Sequence, residues 1–315
     1  LQRVVGWWCS SDDLVAKDSS IALVEAESPS QIRDEFEFSG LSVVCTNPQT
    51  DSYADYRCDF ELWEVDSGFM MYVGCNVTYS KFFDDGTLRT FLTYGIDRQT
   101  LVDDNYGGLA LPTTLPISPM SPYYSKSLAA NYDYDEMRFI DAASKFRVPT
   151  NDKGVPRTLQ LLVNSDDSAR LRCARNIAAT LTELGLACET VESPTSVYEA
   201  RLQAANYDIY LGITKLPTTA DLSEFYRPWG EMSWGGLANE TIYNMVNQSL
   251  ADRGNYYNLH KLVADDGRII PVMAGYYAIY AKRGVLSDLN PARDNVFYYT
   301  LGKTMESSKV ATQFS

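Results

Sequence analysis

Between residues 158 and 213, short apolar runs alternate with helical stripes at the spacing of a βαβαβ unit. Residues 159–163 (LQLLV) predict a buried strand. Residues 164–168 (NSDDS) then offer N-cap side chains and first-turn carboxylates for a helix reaching Gly185, a natural residue just past a helix end. Within it Cys173, Ile177, Leu181 and Leu184 recur at i, i+4, i+8 and i+11, with Ala174 and Ala178 widening a stripe that packs on a sheet. A second strand at 187–191, a helix around 197–205 and a third strand at 208–213 complete the unit. Their continuous rather than alternating apolarity suits strands covered on both faces. In such sheets a ligand docks in the loop beyond the carboxyl end of a strand, here residues 214–221.

Elsewhere, Asp84-Asp85-Gly86 predicts the start of a helix over 87–94, and a second short helix follows Asp97. Pro112, Pro116, Pro119 and Pro122 make residues 109–124 an ordered extended loop, because proline suits neither helix interior nor central strand. Residues 240–264 read as helical and 269–281 as Tyr-rich strands. No repeat is visible, and no apolar run approaches the ~20 residues that span a bilayer. At 315 residues the chain predicts two lobes or one large α/β unit.

Charge narrows the partners. Forty-one acidic against 27 basic residues give −14, a field that repels phosphate backbones and anionic headgroups, so nucleic acid is not expected as a partner. Six cysteines (Cys9, Cys45, Cys58, Cys75, Cys173, Cys188) show no metal-ligand spacing, which predicts no metal site and leaves two readings, buried thiols or up to three disulfides. The spacing of Cys173 and Cys188 about the predicted helix end permits a bridge; Cys173 as a small core residue is the alternative.

The single histidine, His260, sits inside a helical pattern, and no GxSxG, HExxH, Walker or GxGxxG string occurs. No catalytic residue or cofactor is therefore predicted. A glycosidase would need two carboxylates facing one another across a cleft at ~5–10 Å. Twenty-two tyrosines and five tryptophans are mostly filler. Trp229 and Trp234, in the stretch RPWGEMSWGG, are the aromatics best suited to grip a ligand, and Gly235 and Gly236 beside them would let the backbone approach it.

Several stretches, in order, resemble the oligopeptide/dipeptide/nickel-binding family of ABC-transporter solute-binding proteins. YVGCNVT (72–78) is similar to the family's crossing strand, usually aromatic-x-G-F-N. FDD (83–85) and LRTFLTYGIDR (88–98) follow as in the family, then YGG (106–108), LPISP (115–119), LQLLVN (159–164), ANYD (205–208), IPV (270–272) and DN (294–295).

The resemblance implies an α/β, periplasmic-binding-protein-like fold (type II, cluster C) with two lobes, in a truncated chain whose second lobe is largely complete. Residues 1–80 would be part of lobe one, 81–270 lobe two, and 271–315 a return to lobe one. It implies ligand capture by lobe closure without catalysis, a peptide-like or other small ligand, and an ABC permease as partner. The full-length protein would be an extracellular or periplasmic monomer held at the membrane only by a lipid anchor.

For the site, the resemblance places Asn76 in the crossing strand, as a cleft residue or as an amide satisfying backbone groups. Asp221 is the nearest equivalent of the aspartate that meets a peptide's α-amine. Where the family's loop carries a tryptophan and an Asp-Pro pair this chain has Thr214-Lys215-Leu216-Pro217-Thr218-Thr219-Ala220-Asp221; the missing tryptophan and the added Lys215 shift the ligand away from a standard peptide, since a lysine there meets a carboxylate or counters Asp221. A surface sensory or adhesive domain that keeps the fold without transport is the alternative function.

Overall fold

The alternating strand and helix segment is present as expected, set within a longer series of mixed elements. A computed structural model describes residues 22–38, 40–46, 56–287, 291 and 302–303. In chain order these form α1 (Pro29–Phe38), β1 (Val43–Thr46), β2 (Phe60–Cys75), α2 (Thr87–Phe91), α3 (Arg98–Tyr106) and β3 (Leu111–Pro112). There follow α4 (Lys126–Ala129), α5 (Glu136–Lys145), β4 (Leu159–Asn164), α6 (Ser168–Glu183), β5 (Cys188–Ser193), α7 (Thr195–Gln203) and β6 (Ile209–Lys215). The series closes with α8 (Ser223–Tyr226), α9 (Glu240–Ala251), α10 (Tyr256–Asp266), β7 (Ile269–Lys282), β8 (Leu286–Ser287) and β9 (Gly302–Lys303).

The chain divides into two compact units, one of Leu1–Ser67 with Tyr276–Ser315, the other Gly68–Gly275. In the first, β1 pairs antiparallel with the end of β7 (Val43 opposite Ala281, Thr46 opposite Ala278). Phe36, Tyr56, Phe60 and Tyr280 make an aromatic cluster there, with tilted or edge contacts at 4.7–5.1 Å that favour ring edges over ring faces.

In the second unit β7, β2, β6, β4 and β5 lie side by side in that order. β2 and β6 are antiparallel over Phe69–Cys75 and Ile209–Lys215, whereas β4 is parallel to both β6 and β5. Strand residues alternate faces, so Met71, Val73 and Cys75 of β2 join Leu161, Ile209 and Leu211 under Cys173, Ala174, Ile177 and Leu181 of α6. Met70 and Tyr72 point the other way and join Tyr210 under Tyr198, Phe225, Ile242 and Val263 of the remaining helices. Helices on both faces are the physical reason β4 and β6 read as apolar runs, whereas β5, at the sheet edge, leaves Glu189 and Glu192 exposed and departs from the expected cover on both faces.

Two local expectations change, and the two readings of Cys173 are decided for the core residue. The helix expected over 87–94 is a five-residue α-turn continued by a 3-10 turn, Leu92–Gly95. The helical stretch at 240–264 is two helices, broken where the Asp252 side chain accepts from the Gly254 N–H at 3.0 Å. Cys173 and Cys188 form no bridge: both are free, as are Cys45, Cys58 and Cys75, while Cys9 lies outside the described residues. Cys173 faces the sheet as a core residue, and burial pushes both thiols up to about 12.

The proline loop is ordered as expected. Leu111 and Pro112 pair with Ala274 and Met273 of β7, respectively, and Leu115 and Ile117 are buried with Leu128 and Tyr132. Arg98, 1% exposed, holds the loop by donating to the Thr113 and Pro271 carbonyls at 3.1 and 2.9 Å. It also donates to the carbonyls of Thr93 and Ile96 and to the Thr93 hydroxyl.

His260 is also 1% exposed, inside α10, and burial pushes its imidazole down to about 4. The unfolded chain takes that proton near pH 6.5, so its contribution to stability is whole above 6.5 and lost as pH falls toward 4. The loss is about 3 kcal/mol. Urea midpoints at neutral and acid pH should therefore separate less in His260→Phe than in the parent.

Candidate functional site

β6 ends the parallel part of the sheet, where an α/β sheet presents its ligand loop. Thr214 and Lys215 belong to the strand rather than to the loop: they pair with Met70 and Phe69, because the long antiparallel partner β2 extends the ladder past the end of β4. The loop proper spans residues 216–222. Thr214 donates its hydroxyl toward the Met232 sulfur at 3.3 Å, while Lys215 is exposed at the strand end. Asp221 uses one carboxylate oxygen locally, accepting from the Ser223 N–H at 2.8 Å and the Ser223 hydroxyl at 2.6 Å, and so starts α8.

After α8 the chain folds back on that helix. Glu224 accepts from the Arg227 guanidinium at 2.8 Å and from the Glu231 N–H at 3.0 Å, and its backbone carbonyl accepts from the Met232 N–H at 3.2 Å. These bonds, the backbone one from Glu231 first and the Arg227 pair second, hold the Glu224 carboxyl below the usual range. Gly230 is pressed against the same carbonyl, where an added Cβ would lie 2.2 Å from oxygen.

At the tip stands Trp229, 97% exposed, with φ +61°. A bulky residue in the left-handed region costs energy, and an exposed indole gains no packing in return. Gly230→Ala should cost about 1–3 kcal/mol by forcing the loop off Glu224, read as a lowered urea midpoint. The Glu224–Arg227 anchor was not among the candidates, although its i, i+3 spacing on a short helix was its signal.

The other candidates gather at a separate knot. Asn76 is 1% exposed; its amide donates to the carbonyls of Ala205 and Tyr207 at 2.9 and 2.8 Å, and its oxygen accepts from the Tyr79 N–H at 3.1 Å. Both amide N–H groups and the oxygen bond to backbone and fix the turn into β6, so the backbone role applies. Gly235 and Gly236 pack on this knot: a Cβ on Gly235 would lie 2.9 Å from the Asn76 Cα, and one on Gly236 would lie 1.9 Å from the Thr78 hydroxyl. Trp234 is half-buried against the apolar cluster that contains Leu237. Among the described residues no group of three His, Cys, Asp or Glu is placed to hold a metal, and no helix is long and apolar enough to cross a membrane.

The α/β sheet covered by helices on both faces is periplasmic-binding-protein-like, a fold that solved structures share. AppA of Clostridium difficile superposes with a TM-score of 0.73 at 14% identity, over 91% of this chain and 62% of its own. NikA from Brucella suis, in complex with Fe(III)-EDTA, gives 0.66 at 15% identity, over 88% of this chain and 60% of its own. The oligopeptide-binding AppA from Bacillus subtilis, in complex with a nonapeptide, gives 0.63 at 15%, over 88% and 58%. The chain thus spans about three fifths of the length of these proteins. Residues 24–236 match the model of the bacterial extracellular solute-binding proteins, family 5 middle region, and the chain belongs to that family. No curated protein matches it.

Proposed function

We propose that this chain is the solute-binding component of an ABC importer, capturing a peptide-like or other small ligand without chemical turnover. In this reading residues 81–270 form the second lobe, residues 1–80 and 271–315 contribute to the first, and closure on the ligand stabilises the closed state by its extra affinity for it. The full-length protein works outside the cytoplasmic membrane as a lipid-anchored monomer and delivers its ligand to a permease.

The observation that carries the reading is Trp229. A left-handed backbone held by the bonds to Glu224, presenting an indole to solvent, supports a binding role for it. Thr214, whose hydroxyl meets Met232 in the same loop, and Lys215 at the end of β6 would supply hydrogen bonds and charge, with Lys215 suited to a ligand carboxylate. Asn76, Trp234, Gly235 and Gly236 support the site through the backbone they lock.

A thermal-shift screen of short peptides, amino acids, sugars and nickel tests the proposal. A ligand at a hundred times its Kd adds about 2.7 kcal/mol of stability, so short peptides should raise the melting temperature by several degrees. Failure of every member of the screen to do so would contradict capture.

A further inference from the structure

A concave site lies in the unit Gly68–Gly275, apart from all eight strand-end and knot residues. It is a cavity of about 520 Å³ between α10, the segment 130–138 and Tyr94. From α10 come Tyr257, Lys261 and Asp265, at i, i+4 and i+8 on one helix face. Tyr132 donates its hydroxyl to Asp265 at 2.5 Å, and Lys261 pairs with the other carboxylate oxygen. Facing these, the Arg138 guanidinium lies 3.8 Å over the Tyr94 ring. Asp133 and Asp135 each spend one oxygen on a backbone N–H, those of Tyr134 and Arg138, both at 2.9 Å.

The charge pattern selects the ligand. Asp133, Asp135 and Asp265 are set against Arg138 and Lys261, so signs nearly balance and lie interleaved. A phosphate would meet the carboxylates, and an organic cation would meet Arg138 and Lys261. A neutral polyhydroxylated molecule satisfies both: each hydroxyl donates to a carboxylate and accepts from a lysine, arginine or tyrosine. Its C–H faces pack on tyrosine rings, of which Tyr134 and Tyr257 remain partly exposed. The cavity falls within the ~300–1,000 Å³ of small-molecule sites.

We propose that this cavity is a carbohydrate-binding site that takes about one or two pyranose rings, free or at the end of a longer glycan. The assignment is independent of ligand capture at the strand end.

Titrating the whole chain with a panel of neutral disaccharides of glucose, galactose, mannose and N-acetylglucosamine tests it, read by calorimetry and by tyrosine chemical shifts. The expected result is millimolar or tighter binding of at least one member. Tyr257→Ala and Asp133→Ala should each weaken it tenfold or more, Tyr257→Phe should keep it within about threefold, and Trp229→Ala should leave it unchanged. Tyr257 is half exposed and Asp133 exposed, so neither replacement opens the core. A longer oligomer that binds more tightly than its disaccharide assigns the site to a glycan end, whereas equal affinity assigns it to free sugar; either supports the cavity. The proposal is overturned by no binding at about 20 mM sugar, by binding indifferent to both Tyr257 and Asp133, or by binding lost in Trp229→Ala.

Discussion

Replacing Arg98 with methionine should lower the unfolding free energy by about 3–5 kcal/mol, among the largest effects of any single substitution in the chain. The side chain is buried, and burial pushes its guanidinium down to about 10, so the folded state already bears the cost of a desolvated charge. The return is a fork of five hydrogen bonds to the carbonyls of Thr93, Ile96, Thr113 and Pro271 and to the Thr93 hydroxyl. Methionine fills the volume and removes the charge, yet it strands several buried carbonyls, each costing about 1–3 kcal/mol when unmade bonds cannot be replaced by water. Relaxation and water entry recover part of that sum. Arg98→Lys keeps the charge but loses the planar fork, and should fall between the parent and the methionine variant. Melting temperatures rank the three, with a drop of roughly 10 °C for methionine in a unit of this size. A methionine variant within a degree or two of the parent would show that the proline loop is held by its apolar contacts alone.

Trp229 should behave in the opposite way. Trp229→Gly should gain about 0.5–1 kcal/mol of stability, because glycine adopts φ +61° without a clash and the exposed indole contributes no packing. The gain is reduced by the extra freedom glycine brings to the unfolded chain. Ligand affinity should fall about thirtyfold, the scale of a truncated aromatic anchor. Denaturant midpoints and calorimetric titration read the two halves separately. A variant that loses stability as well as binding would mark Trp229 as structural, and the strand-end reading would lose its main support.

How much of this was legible in the sequence depends on which physical effect sets each feature. β4, α6 and β6 are local: apolar periodicity, a capping aspartate at Asp167 and Gly185 past the helix end fix them with little outside help. The break between α9 and α10 is local as well, set by the Asp252 side chain capping the Gly254 N–H, but apolar spacing that continues across it hides the signal. The extension of β6 through Lys215 depends on a ladder with β2, from more than a hundred residues earlier, which no pattern at 214–221 announces. The unit boundaries fall inside β2 and β7, where composition does not change.

The candidate site divides in the same way. Trp229 stands out beside a proline and a glycine, but its left-handed backbone and its fastening to Glu224 are products of packing. The glycines at 235 and 236 invite a ligand-approach reading until Asn76 and Thr78 are seen to fill the space a side chain would need. The tyrosine-lined cavity draws on Tyr94, residues 130–138 and α10, so no window of sequence contains it.

Calorimetric titration of short peptides into the whole chain, parent beside Trp229→Ala, decides whether a small ligand is captured beyond the end of β6. Saturable binding by the parent is expected, tenfold or more weaker in the variant at unchanged fold. Binding that is equal in both proteins, or no heat with any peptide at about 1 mM, would contradict capture there.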